Sequence, residues 1–363
     1  MQCIVKHSGN IYGLVATASG GFATSSDDRR AQFWAVSDTN ELACVGTREL
    51  HGASLALDTC QDVLVSAQLD GAISLVPRDS SKPISMLRAP DCHSAVTSVA
   101  VLHGVMAKRL VSVDELVSVH LDFDTQQLMV SGTMDGQIML WEISNERPPL
   151  APTQTIKDAH TDAIRSLLWV EVDGEMKVIS SAFDGHITVW TLADSTGTLE
   201  ETTRKRLVDL ACSECTRQGT AHQGAVTTLA FVGAKTSLHP MNSKVVIASG
   251  SEDGAVKLWD VASGALVSTV MNCNMGVCSL AWLTKPTLSG APSVDWLACG
   301  LGDNSIVVVD PKTGELIATV RGHDGPVHGL LWLESKGILI SCASDATVRT
   351  WRVHSENSEY NVG

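Results

Sequence analysis

An all-β fold assembled from seven copies of one four-stranded unit is the class the sequence predicts, and three observations carry it. The first is a repeat. The segment Ser249-Gly-Ser-Glu-Asp-Gly-Ala-Val-Lys-Leu-Trp259 recurs as Ser131–Trp141, Ser180–Trp190, Ser341–Trp351 and Thr24–Trp34, with weaker copies ending in Val76 and Val309. Its aspartates, Asp28, Asp70, Asp135, Asp184, Asp253, Asp303 and Asp345, are separated by 42, 65, 49, 69, 50 and 42 residues. A base period near 42, interrupted by two insertions, is that of a four-stranded repeat stacked around an axis. The second is composition by segment. Runs rich in Val, Ile, Leu and Thr, such as Val226–Phe231, Val245–Ala248, Val256–Trp259 and Leu266–Val270, have strand length and lie between Gly, Asp and Ser clusters. The third is the lack of any 3.6-residue apolar period sustained over three turns.

Each element follows from local chemistry. Asp-Gly and Ser-Gly pairs (Asp70-Gly71, Asp135-Gly136, Asp184-Gly185, Asp253-Gly254, Ser263-Gly264) mark the tight turns between strands. Trp169, Trp282, Trp332 and Phe231 each stand five residues after an aliphatic residue that opens a run (Ile164, Val277, Val327, Val226). That shared offset predicts core side chains at the ends of the innermost strands.

The repeat resembles the WD40 family, and the resemblance covers nearly the whole chain. The family places a Gly-His pair upstream of each repeat Asp. Gly322-His323 matches both residues; His7, His51, His160 and His222 keep the histidine; His93 sits one residue closer to its strand; and the sixth copy has Asn274 or nothing. The resemblance implies a seven-bladed β-propeller over residues 1–353, followed by a polar tail over 354–363. It also implies that each repeat supplies the outer strand of one blade and the inner three of the next. The last repeat then lacks an outer strand. Gln2–Lys6, which aligns with Leu316–Val320 before His323 and with Thr155–Lys157 before His160, is expected to supply it and close the ring, removing an exposed edge.

Two insertions stand apart. Leu102–Gln126 contains the apolar runs Leu110–Val113 and Leu116–Leu121. Either it adds a hairpin, or Val117–Phe123 is the true inner strand and Val96–Val101 belongs to a degenerate eighth blade. Ala193–Ala221, with Arg204-Lys205-Arg206, reads as a rim loop or a lengthened outer hairpin.

His, Ser or Thr, Asp and Trp recur together as His7/Thr24/Asp28/Trp34, His160/Ser180/Asp184/Trp190, His222/Ser249/Asp253/Trp259 and His323/Ser341/Asp345/Trp351. A catalytic triad needs one set with an exposed serine and an oxyanion hole. Repetition once per blade, with a Trp attached, fits a structural hydrogen-bond network instead, which is the role the resemblance implies. The second blade (Val76 for Trp) and the sixth (Cys299 for Ser, Val309 for Trp) lack the full set, and apolar packing is expected to hold them. No catalytic residue, metal site or cofactor is expected. Cys212-x-x-Cys215 is a lone pair of thiols, whereas a structural zinc wants four ligands. Gly300-Leu-Gly302 lacks a third glycine and a following helix, and no Gly-x-x-x-x-Gly-Lys-Ser/Thr phosphate loop occurs.

The 363 residues include 26 Lys and Arg against 40 Asp and Glu, a net charge of −14, which argues against a nucleic-acid or anionic-membrane partner. With 44% apolar residues the chain can build a core. No apolar stretch of membrane-spanning length occurs. Ten scattered cysteines, no glycosylation sequon, and a start (Met1–Asn10) without a charged residue ahead of an apolar run point to an intracellular chain, cytoplasmic first and nuclear second.

The resemblance implies a top face that binds peptides through residues flanking the first aliphatic residue of each inner strand and through the residue before each repeat Asp. In the second repeat, alignment on Leu55 makes the flanking pair Ser54 and Ala56. The candidates on this face are Tyr12, Leu69, Met134, Arg165, Phe183, Glu252 and His328. Leu69, Met134 and Phe183 form an apolar arc over consecutive blades with acids at its borders, the composition of an interface. The expected function is a non-catalytic scaffold holding one or more proteins in a larger complex. Two alternatives are a substrate-recognition subunit of a ubiquitin ligase and a component of a ribonucleoprotein assembly. Against the first, the only Trp-Asp (Trp259-Asp260-Val261-Ala262) lacks the basic residue such members carry; against the second stands the net charge.

Overall fold

A computed structural model describes residues 2–5, 7–39, 41–60, 62–102, 126–144, 149, 151–193, 197–208, 212, 215, 218–232, 245–285, 294–356 and 359–362. Among these, the strands assemble into seven antiparallel sheets. The first six are four-stranded meanders whose innermost strands are β2 (Ile11–Ala16), β6 (Ser54–Cys60), β10 (Val96–Val101), β14 (Ile164–Val172), β18 (Val226–Val232) and β22 (Val277–Lys285). The seventh is built on β26 (Val327–Leu333), β27 (Ile338–Ala343) and β28 (Thr347–Glu356). Its outer strand is β1 (Gln2–Val5), paired antiparallel from Gln2 with Thr350 to Val5 with Thr347. Residues 353–356 of β28 also pair with β29 (Glu359–Val362), so the polar tail folds back as a short hairpin beyond the segment that β1 covers.

The apolar residues sort between blades. Seven clusters form, each drawing side chains from two neighbouring blades. The cluster of Ile11, Phe22 and Trp34 with Leu333, Ile338 and Ile340 joins the seventh blade to the first. Each sheet thus buries both faces, and hydrophobic burial acts around the whole ring.

Val96–Val101 pairs with Met129–Thr133 as the inner strand of the third blade, which removes the eighth-blade alternative. Val117–Phe123 and the rest of that insertion lie outside the described residues. Arg204–Arg206 do not form a loop: they lie in β17 (Leu199–Leu207), the outer strand of the fourth blade, with Lys205 opposite Val189 and Arg206 opposite Thr188. Trp169, Trp282 and Trp332 pack into inter-blade clusters, whereas Phe231 is 42% exposed and is not core. No described helix is long and apolar enough to cross a membrane.

Two devices repeat in all seven blades. The residue after each repeat Asp has positive φ: Arg29, Gly71, Gly136, Gly185, Gly254, Asn304 and Ala346, at +60° to +82°. The second is a register shift at the start of every inner strand, which leaves one residue out of the ladder: Tyr12, Leu55, Thr97, Arg165, Thr227, Cys278 and His328. Such bulges re-aim a side chain at the end of a strand.

Candidate functional site

Four blades carry the complete hydrogen-bond network. In the fifth, His222 Nδ1 lies 3.2 Å from Asp253, His222 Nε2 lies 2.7 Å from Ser249 Oγ, and Trp259 Nε1 donates to Ser249 Oγ at 2.8 Å. The fourth repeats this with His160, Asp184, Ser180 and Trp190, the seventh with His323, Asp345, Ser341 and Trp351, and the first with His7, Asp28, Thr24 and Trp34. The proton positions follow from donor counting. A carboxylate only accepts, so each neutral imidazole carries its proton on Nδ1 and accepts at Nε2. The hydroxyl therefore donates to Nε2 and accepts from the indole. Each carboxylate also receives the backbone N–H that follows the histidine (Ser8, Thr161, Gln223 or Asp324) and that of the residue two beyond the Asp. All polar atoms of the set point at one another, which leaves this arrangement without a free nucleophile.

Burial alone would raise the carboxyls of Asp184 and Asp253, but hydrogen bonds from His160 and His186 to the first, and from His222 to the second, outweigh it and hold both well below the usual carboxylate range. Burial pushes His7 and His323 down despite their aspartates.

The other three blades fill the histidine position differently. That position lies four residues before the inner strand, and it holds Leu50, Cys92 and Cys273. Leu50 and Cys92 are buried, while His51 and His93 are exposed and outside any network. Val76, Val309 and Cys299 are buried in inter-blade clusters in place of the missing Trp and Ser.

The bulged residues converge on the axis. A cavity of about 200 Å³ is lined by the inner strands of all seven blades. At its mouth the Tyr12 and His328 rings lie 4.8 Å apart, and His328 Nε2 lies 2.7 Å from Ser344 Oγ. Burial, with the Arg165 guanidinium beside it, pushes His328 down to about 4. Arg165 stacks on Phe183, its guanidinium carbon 5.3 Å from the ring centroid. Sequence reading paired Ser54 with Ala56 in the second blade; the register puts Ser54 in the place of Ile11, so Leu55 is the bulged residue there.

Three of the exposed large apolar side chains are Leu69, Met134 and Phe183, at 52%, 48% and 37% exposure. They occupy the pre-Asp position of the second, third and fourth blades, where the remaining blades have Asp27, Glu252, Gly302 and Ser344. Among the described residues, no three His, Cys, Asp or Glu side chains converge as a metal site would require. Cys212 Sγ instead accepts hydrogen bonds from the Cys215 backbone N–H and Gln223 Nε2.

Repeated blades, an axial cavity and an internally satisfied network in four blades define a β-propeller whose variable chemistry sits on its faces. The arrangement is that of a WD40-repeat propeller, and the family's model (WD domain, G-beta repeat) matches residues 213–260 and 314–352. Similar proteins include Elongator complex protein 2 of Danio rerio, 26% identical over 206 residues, and Ribosome biogenesis protein ytm1 of Neurospora crassa, 29% identical over 245. Nuclear distribution protein PAC1 of Arthroderma benhamiae is 26% identical over 216 residues. These alignments cover 55%, 62% and 59% of this chain but only 22%, 48% and 41% of the respective relatives, so the chain spans a fifth to half of their length.

Proposed function

We propose that this propeller is a non-catalytic scaffold, a subunit that holds one or more proteins in a larger intracellular complex through the face bearing Leu69, Met134 and Phe183. The single observation that carries the reading is their shared position in three consecutive blades together with their exposure. A demand of the fold acts alike on every blade, so an apolar residue there in only three points to something outside the ring. Relatives named as an elongator complex protein and ribosome biogenesis proteins support complex membership in general terms.

The test is association in the native cell. Phe183→Ala with Met134→Ala should reduce recovery of the principal partner at least tenfold, since burying a Phe-sized side chain is worth about 1.5–3 kcal/mol. Gly302→Ala on the opposite side is the control, because an added Cβ there meets nothing closer than 3.6 Å. Equal recovery by mutant and wild type would move the interface elsewhere.

A further inference from the structure

Among the described residues, Arg165 is a desolvated cation without an anion. Its Nε is buried with no hydrogen-bond acceptor, and no described carboxylate lies within ion-pair distance. Its neighbours at the cavity mouth come from other blades: Tyr12, Cys278, His328 and, more distantly, Glu252. His328 is spent on Ser344 and Tyr12. The guanidinium lies over the Phe183 ring. Burying a charge unpaired is costly, and in a chain of net charge −14 acids are plentiful elsewhere. The described residues nonetheless place this arginine at a bulge beside the axial cavity with no acid paired to it.

We propose that the cavity mouth is a socket for a carboxylate, and that its occupant is an Asp or Glu side chain of a partner peptide whose adjacent apolar residues lie on Leu69, Met134 and Phe183. The proposal rests on the reading of this face as a partner surface. The Nε–H and one Nη–H of a guanidinium form a fork that a carboxylate accepts through both oxygens. Phe183 serves twice, as apolar contact area and as the wall that fixes the plane of the fork. Tyr12 and His328 stand beside the guanidinium on the same cavity wall. A lysine, a point donor on a flexible stem, would not substitute fully.

A phage-displayed library of random 12-residue peptides, selected on the full chain, tests this. Wild type should enrich peptides with Asp or Glu at a fixed place beside apolar residues. Arg165→Gln should bind the best such peptide at least tenfold more weakly, and Arg165→Lys should recover part of the loss. Replacing the peptide's acid by its amide should weaken wild type tenfold but leave Arg165→Gln unchanged. The melting temperature of Arg165→Gln should stay level or rise, because an unpaired buried charge is removed. A selection without an enriched acid, peptides that bind Arg165→Gln as well as wild type, a phosphoserine peptide more than tenfold tighter than its Glu counterpart, or a several-degree fall in melting temperature would each overturn the socket. Peptides insensitive to Arg165→Gln but lost with Phe183→Ala and Met134→Ala would leave the partner surface standing. Peptides insensitive to both would remove it as well.

Discussion

Trp141 donates its indole N–H to Ser131 Oγ at 2.9 Å, yet the place held by an imidazole in four other blades is taken in this one by the buried thiol of Cys92. The hydrogen-bond chain is therefore cut in half, and Asp135 turns to Thr133 and Gln137 in its own turn. The blades differ in how much of their strength is polar.

Asp253→Ala should accordingly cost on the order of 1–3 kcal/mol, because it strands His222 Nδ1–H and the Gln223 and Ala255 backbone N–H groups together. Asp135→Ala, at an exposed site without a histidine, should cost less than about 1 kcal/mol. Urea denaturation of the two variants decides; equal losses would mean that the network contributes nothing beyond its turn.

Acid should destabilise the fold in two stages. His7, His323 and His328 have lowered folded values, so the unfolded chain takes up protons first as pH falls below its ordinary value of about 6.5. For His328 that stage runs to about 4. Asp184 and Asp253 have depressed values, so their contribution is present above an unfolded value of about 3.9 and is lost as pH falls below it through the folded one. Urea midpoints should decline from pH 6.5 downward and more steeply below 4. His328→Phe, which keeps a ring against Tyr12, should flatten the first stage; a midpoint that rises between pH 6.5 and 4 would contradict this.

The left-handed turns offer changes of opposite sign. Ala346 has φ +60°, where an L-residue is strained by about 1–2 kcal/mol. Ala346→Gly should therefore stabilise by about 0.5–1 kcal/mol after the added freedom of the unfolded chain is counted. Gly254→Ala should destabilise strongly, since its Cβ would stand 1.8 Å from the Cys273 carbonyl oxygen. Thermal melts of both variants test the pair.

Deleting residues 1–6 should expose the β28 edge at Thr347–Thr350 and lower the melting temperature by several degrees, with loss of solubility. Deleting residues 357–363, which removes β29 from Val353–Glu356, should cost less. An unchanged melt after the first deletion would mean that β1 contributes no stability to the seventh sheet.

The architecture was legible because its signals are periodic: turn aspartates, aliphatic runs and indoles recur in a frame that burial between blades imposes. The four full networks were legible for the same reason, since donors and acceptors must recur together to be satisfied. Strand ends were less so; the run Val256–Trp259 becomes Ala255–Asp260, because pairing extends past the last apolar residue. Leu50 and Cys92 were missed because the adjacent His51 and His93 resemble the expected residue, while burial selects the apolar one. Phe231 has the same offset from its strand start as three tryptophans but stays exposed. The bulges left no mark in residue type, as Tyr12, Thr97, Arg165 and Cys278 share no chemistry, so they emerged only from the register, and the lone Arg165 Nε only from what surrounds it.

The pairing of Gln2–Val5 with Thr347–Thr350 also imposes an order in time. During synthesis the second of these strands follows the first only after the six intervening sheets have been made. At about 5–20 residues per second the wait is on the order of tens of seconds. Throughout it the opening strand has no native neighbour, while earlier blades can already stack. The nascent propeller is thus an open arc whose β1 waits unpaired, and the final circle forms in one late, long-range step whose loop-closure entropy falls due only then.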